Sequence, residues 1–137
     1  MINTDNYKHS DITQMIIGAF YKVYNTLGYG FLEKVYVNSL LIELRKLGLI
    51  CEPQYQIIVF YDNQEVGFYI ADIIVNGIVI IEAKASETLC EANEFQLINY
   101  LKATEIEVGL LLNFGKKPEC KRKVFSNNNQ NSDDEDL

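Results

Sequence analysis

The sequence predicts an α/β fold, a mixed four-stranded sheet flanked by helices, and three observations predict it. The N-terminal third holds two stretches with apolar residues at helical spacing. Three β-rich runs follow with only turn signals between them, and the chain then places a helix before a last long strand. Runs joined by short turns pair as antiparallel hairpins, whereas a strand, helix, strand unit makes a parallel pair, so the sheet must be mixed. A chain of 137 residues, 48% of them apolar, buries one sizeable core and not two.

Taking the elements in order, "SDITQ" offers Asp11 as a helix cap with Gln14 in the capping-box position. Ile12, Met15, Ile16, Ala19, Phe20, Val23 and Tyr24 follow at helical spacing, and the helix should stop near Gly28. After the turn "GYG", "FLEKVYVNSLLIELRKLG" predicts a second helix, ended by Gly48 with Arg45 and Lys46 in its last turn. "YQIIVFY", "EVGFYIADIIV" and "IVIIEAKA" predict strands separated by "DNQ" and "NG". "TLCE" opens a third helix with Thr88 as cap and Glu91 three residues on. It runs through "ANEFQLINYLKA" to the strand "VGLLLNF", with room for a short extra strand at "KRKVF".

Composition narrows the function classes. No apolar run reaches the length of a bilayer span, and "MINTDNYKHSD" lacks the basic start and apolar stretch of a secretory signal, so a cytoplasmic location with no membrane contact is expected. Cys51, Cys90 and Cys120 are few and far apart, and His9 is the single histidine, which excludes a local disulfide framework or zinc site. Residues 126–137, "SNNNQNSDDEDL", have no aromatic or β-branched residue and four acids. This predicts a disordered acidic tail behind a single domain over residues 1–125. The tail holds four of the charges in the net −7, which leaves the body at about −3. Lys116, Lys117, Lys121, Arg122 and Lys123 form the chain's one basic cluster, read first as a solvated end and second as a phosphate-contacting patch.

The third strand carries the chemistry. "IVIIEAKA" begins as a strand buried on both faces and then places Glu82 and Lys84 where more apolar residues belong. Burying an ion costs several kcal/mol unless it is paired or holds a metal. Alternation in the preceding strand sends Phe68, Ile70, Asp72 and Ile74 to one face. A two-residue "NG" loop would turn Asp72 away from Glu82, whereas a three-residue connection or a bulge sets them directly opposite. Two carboxylates brought together so repel unless a divalent cation lies between them. Glu33, with Tyr36 one turn on, and the stripe Asn93, Gln96 and Tyr100 supply further polar side chains in apolar surroundings.

The motif G-x-x-E-x-x-Y, here Gly30, Glu33 and Tyr36, is followed in order by "ADIIV", "IIEAKA", "QLINYLK" and "GLLLNFG". In these blocks the chain resembles the GxxExxY family, which is grouped with the PD-(D/E)XK nuclease-like superfamily. The likeness covers about residues 10 to 125 and implies a restriction-endonuclease-like αβββαβ core. It implies an active-site set of Asp72, Glu82 and Lys84, with Glu33 as an extra carboxylate on the preceding helix and Gln96 on the helix after the active-site strand. Two departures are visible: Asn93 stands where relatives often have histidine, and Ala71 where the wider superfamily often has proline. The partner implied is nucleic acid, DNA before RNA, and a homodimer is left open.

Phosphodiester hydrolysis suits that set. Asp72, Glu82 and the carbonyl of Ala83 offer hard oxygen ligands for Mg²⁺ or Mn²⁺, with water or Glu33 completing the shell. Lys84 would orient or help deprotonate the attacking water, and Gln96 would hydrogen-bond Lys84 or a phosphate oxygen. The expected function is therefore a metal-dependent nuclease. The alternative is a catalytically weak nuclease-fold module that binds nucleic acid or a protein partner. A purely structural, dimerising domain in which Glu82 pairs with Lys84 at a strand end is a third reading.

Overall fold

The computed structural model describes residues 8–126 and 132–135. Helices α1 (Ser10–Leu27) and α2 (Glu33–Lys46) precede strands β1 (Cys51–Tyr61), β2 (Gln64–Val75) and β3 (Val79–Lys84). Helix α3 (Glu91–Lys102) then leads to β4 (Val108–Phe114), β5 (Pro118–Phe125) and β6 (Ser132–Glu135). The strands lie side by side in chain order in one sheet. Only β3 and β4, the two joined through α3, are parallel; every other neighbouring pair is antiparallel. The mixed α/β class and its αβββαβ core are therefore present, but the sheet has six strands where four were expected.

Both additions lie at the C-terminal side. β5 begins at Pro118, three residues before the short extra strand that "KRKVF" suggested. β6 falls in the segment expected to be a disordered acidic tail, and it pairs antiparallel with β5, Ser132 opposite Phe125 and Glu135 opposite Arg122. The rest of the tail, 127–131 and 136–137, lies outside the described residues.

Helix starts differ from expectation at two places. α1 is preceded by His9 in a left-handed conformation (φ 57°), not by Asp11, which sits in the first turn where a carboxylate meets the positive end of the helix dipole. α3 starts at Glu91 instead of near Thr88. The Asn93 side chain reaches back to accept the Cys90 backbone N–H at 3.1 Å and the Cys90 thiol at 3.3 Å, which closes the helix at Cys90. Cys51, Cys90 and Cys120 are all free thiols; burial raises Cys51 and lifts Cys120 to about 11, as suits small unreactive core groups.

The sheet is covered on both faces. On one side Ile16, Phe20 and Val23 of α1 and Tyr36, Leu40 and Leu44 of α2 pack against Ile73, Val75, Val79, Ile81, Leu110 and Phe114. On the other, Leu97, Tyr100 and Leu101 of α3 pack against Ile57, Ile74, Ile80 and Leu111. Burying a side chain of this size contributes roughly 1.5–3 kcal/mol, so these two layers dominate the stability. Among the described residues no helix is long and apolar enough to cross a membrane.

Two turns fix the hairpins. Asp62 and Asn63 both have positive φ (52° and 60°), the mirror-image turn that matches strand twist. Between β2 and β3 the connection is Asn76, Gly77 and Ile78, and Val75 pairs with Val79. The loop is thus three residues long, and continuing the register sets Asp72 against Glu82.

The long β1–β2 hairpin also changes face midway. Gln54, opposite Asp72 by register, takes a left-handed conformation (φ 50°), and that pair is missing from the ladder. On one side of the break Cys51, Ile73 and Val75 join the α1–α2 core; on the other Ile57 and Ala71 join the α3 core. The simple alternation from Phe68 to Ile74 is broken there. Tyr69 and Ala71, not Ile70, turn towards α3, and the Tyr69 ring lies 5.5 Å from that of Tyr100.

The end of β3 is held by β4. Asn113, fully buried, accepts the Ser86 N–H and donates to the Ser86 carbonyl, both at 3.0 Å, and donates to Glu119 at 3.0 Å. A Cβ at Gly115 would stand 2.3 Å from the same Ser86 carbonyl oxygen. Gly115→Ala should therefore cost about 1–3 kcal/mol in denaturant unfolding by displacing backbone. Gly18→Ala, in mid-helix with nothing within 4 Å of the added carbon, should gain roughly 0.5–1 kcal/mol. Equal effects at the two glycines would contradict this packing.

Candidate functional site

The site forms where β2 and β3 part. Their ladder runs from Val75–Val79 to Ile73–Ile81 and goes no further. At the next position side chains take over from backbone: the Asp72 N–H donates to Glu82 Oε2 at 2.7 Å, and the Ala83 N–H donates to Asp72 Oδ2 at 2.8 Å. Each carboxylate thus satisfies a main-chain donor that the diverging strands would otherwise leave bare. Among the described residues the second oxygen of each, Glu82 Oε1 and Asp72 Oδ1, accepts no hydrogen bond.

Burial makes this pair electrostatically costly. Glu82 is only 4% exposed, and removal from water pushes its carboxyl up to about 8, with the Asp72 charge adding to the rise. The Asp72 N–H and the Lys84 ammonium pull the other way without cancelling it. Asp72, half-buried, is also raised by desolvation, against the pull of the Ala83 N–H and Lys84.

Lys84 is the cation of the group. Its Nζ donates to Gln96 Oε1 at 3.4 Å, a long contact that aims the ammonium at α3 and not along the strand at Glu82. Strand alternation puts Glu82 and Lys84 on one face, and α3 brings Gln96 over that face while Leu97 anchors the helix in the core beneath. The Asn93 side chain, half of the expected polar stripe's start, is spent on the helix cap. Tyr100 is buried beside the acids; desolvation first, then the Glu82 and Asp72 charges, raises its phenol to about 12.

Glu33 reaches the group from the opposite layer. It is the first residue of α2 and exposed, yet desolvation raises its carboxyl, with Lys84 lowering and Asp72 raising it. Its position is set by Tyr36, which is fully buried, stacks on Phe114 of β4 at 4.2 Å, and ties down the loop before the helix. The Tyr36 hydroxyl donates to the Gly28 carbonyl at 2.7 Å and accepts the Phe31 N–H at 3.2 Å, around Gly30, whose φ of 110° favours glycine. The three motif residues thus divide the labour: Gly30 turns the chain, Tyr36 pins the turn, and Glu33 is presented.

Of the five residues singled out from the sequence, Glu33, Asp72, Glu82 and Lys84 lie within hydrogen-bonding or electrostatic reach of one another, and Gln96 joins them through Lys84. Among the described residues no three acids, histidines or cysteines converge tightly enough to cage an ion, so Asp72 and Glu82 act as a pair and Glu33 stands at the rim. Their donor set nevertheless fits a hard divalent cation: two carboxylates with an oxygen each to spare, mutually repelling, beside the backbone of Ala83. Asn113 was not foreseen as part of this arrangement. The only sequence signal for it was an amide in the otherwise apolar run "VGLLLNF". The basic cluster divides: Lys116 and Lys117 are exposed as a solvated end would be, whereas Arg122 and Lys123 are 2% and 3% exposed and Lys123 pairs with Glu94 at 2.8 Å.

A family model described as the PD-(D/E)XK nuclease superfamily matches residues 10–123. No curated protein and no solved structure matches the chain. The model is drawn at the level of the superfamily, so the narrower likeness to GxxExxY proteins stays on Gly30, Glu33, Tyr36 and the blocks after them.

The raised Glu82 carboxyl has a consequence for stability. In the unfolded chain it releases its proton near the ordinary value of 4.5, whereas in the folded protein it keeps it to about 8. Between those limits the folded state binds more protons than the unfolded one, so the stability of the metal-free protein falls as pH rises through the window and levels off above it. Glu82→Gln, which keeps an acceptor for the Asp72 N–H and removes the charge, should flatten that fall and be on the order of 1–3 kcal/mol more stable than wild type at pH 8.5. Thermal unfolding in the presence of a chelator from pH 5 to 9 checks this; parallel curves for the two proteins would refute it.

Proposed function

Because the chain belongs to the PD-(D/E)XK nuclease superfamily, we propose that it is a divalent-metal-dependent nuclease that hydrolyses phosphodiester bonds in nucleic acid at the Asp72–Glu82 pair. The observation that carries the proposal is the reciprocal arrangement of that pair. Two carboxylates, Glu82 buried and Asp72 half-buried, are held together by backbone donors against their own repulsion, with a lysine two residues beyond.

Asp72, Glu82 and the Ala83 carbonyl would hold Mg²⁺ or Mn²⁺, and Glu33 would bind at the rim directly or through water. When bound, the ion supplies positive charge against the phosphate and lowers the pKa of water beside it. The chain's own residues do the rest. Asp72 and Glu82 keep one oxygen each on a main-chain N–H, which fixes their orientation at no cost in reorganisation. Lys84 places an ammonium where negative charge grows on the phosphate oxygens, and orients the attacking water by hydrogen bond. Gln96 holds that ammonium at the site and is itself within reach of a phosphate oxygen. The Ala83 and Asn113 contacts keep the segment after Lys84 from drifting.

Purified protein should cleave nucleic acid in Mg²⁺ or Mn²⁺ and not in Ca²⁺, which binds oxygen ligands but polarises water less. Lys84→Ala should lower cleavage at least 100-fold and leave the calorimetric metal titration intact, whereas Asp72→Ala should weaken both. Because Asp72 also accepts the Ala83 N–H, that variant should lose stability where Asp72→Asn should not. Cleavage surviving both substitutions would refute the assignment. Metal binding without cleavage of DNA or RNA in single- or double-stranded form would favour the catalytically weak binding module.

A further inference from the structure

Half of the bases of this chain are committed. Of 12 lysines and arginines, Lys8, Lys22, Lys46, Lys116 and Lys123 are in ion pairs with glutamates, and Arg122 is buried. Duplex binding draws mainly on phosphate neutralisation by a row of free cations. With 19 acids against 12 bases the chain is poorly furnished for it.

Aromatic surface is what the site has instead. Phe31, 47% exposed, lies two residues before Glu33 and is held there by its N–H bond to Tyr36 and by edge-on packing of the two rings at 6.1 Å. Phe95, 60% exposed, is the neighbour of Gln96 on α3. Tyr69, half-exposed and three residues before Asp72, is braced against Tyr100, which is buried beside the acid pair. β2 and α3, which deliver Asp72 and Gln96, and the loop that leads to Glu33 therefore each carry an exposed ring within three residues of that polar group, whereas β3, which delivers Glu82 and Lys84, carries none. Leaving such rings in water forgoes roughly 1.5–3 kcal/mol each that burial would return.

We propose that Phe31, Tyr69 and Phe95 are stacking platforms and that the strand held at this site is single-stranded nucleic acid, not duplex. Bases in a duplex present their faces only to one another, whereas an unpaired strand can lay them on aromatic rings for roughly 1–3 kcal/mol per base. Stacking is sequence-tolerant and little affected by salt, which suits a site with Lys84 as its central cation. This inference rests on the nuclease reading for the location of the scissile phosphate, but its test does not depend on turnover.

Full-length protein in Ca²⁺ is titrated, by fluorescence anisotropy, into a labelled oligonucleotide of DNA or RNA and into the duplex of the same sequence. The single strand is expected to bind at least about ten-fold tighter, with a slope of log K against log salt no steeper than about −3. Phe31→Ala and Phe95→Ala should each weaken it about five-fold or more while the Mg²⁺ titration is unchanged. Tyr61→Ala is the control. Tyr61 is 76% exposed but pairs with Gln64 at the hairpin tip, roughly 26 Å along the strand from Asp72 at about 3.3 Å per residue, and should have no effect. Equal affinity for duplex, indifference to both substitutions, or no binding of any strand would each overturn the inference. Tight single-strand binding without cleavage in Mg²⁺ or Mn²⁺ would uphold it and overturn hydrolysis.

Discussion

The parting of β2 from β3 after Ile73 and Ile81 is the constraint on which the rest of the site depends. A ladder that stops inside a protein leaves donors that must be met, and here Asp72 and Glu82 meet them with one carboxylate oxygen apiece. The same two bonds bring the carboxylates together and take them out of water. Neither consequence stabilises the fold: repulsion and desolvation both oppose ionisation of Glu82. That cost, on a buried Glu82 beside a half-buried Asp72, is the ground for the proposal that a cation binds there.

Everything around the pair holds it rigid. β1 gives way at Gln54, directly opposite Asp72, which frees Asp72 from its ladder on that side as well. From the helical layer Tyr36 pins the loop that starts α2, so that Glu33 is aimed by a residue whose ring stacks on the sheet. From β4, Asn113 grips Ser86 and fixes the chain just beyond Lys84. Tyr36 and Asn113 are buried and hydrogen-bonded, while the rings of Phe31, Tyr69 and Phe95 are left largely in solvent. Rigidity under the site and exposed aromatic surface near it are what the proposed binding of a nucleic-acid strand would use.

Much of this was legible in the sequence because the signals were local. Helical spacing placed α1, α2 and α3, and "VGLLLNF" read as the last long strand. Glu82 and Lys84 stood out because ions do not belong in an apolar strand without a purpose. What escaped depended on long-range geometry. The face switch at Gln54 has no local sign, since a non-glycine residue with positive φ within a strand is rare and is imposed by the sheet around it. The parity between Asp72 and Glu82 hinged on a single residue, Ile78, joining the turn or the strand. In the basic cluster, Arg122 and Lys123 are buried by partners distant in sequence, the Lys8 carbonyl for Arg122 and Glu94 of α3 for Lys123, which composition alone cannot show.

The claim that Asp72 and Glu82 form one coupled, desolvated pair joined by a cation is tested most directly by following their side-chain carboxyl carbons by NMR as pH is varied, with and without Mg²⁺. Without the ion the Glu82 carboxyl should titrate at about 8, far above an ordinary glutamate, and Mg²⁺ should carry that titration down by more than two pH units. Two carboxyls titrating near 4 and indifferent to Mg²⁺ would contradict it.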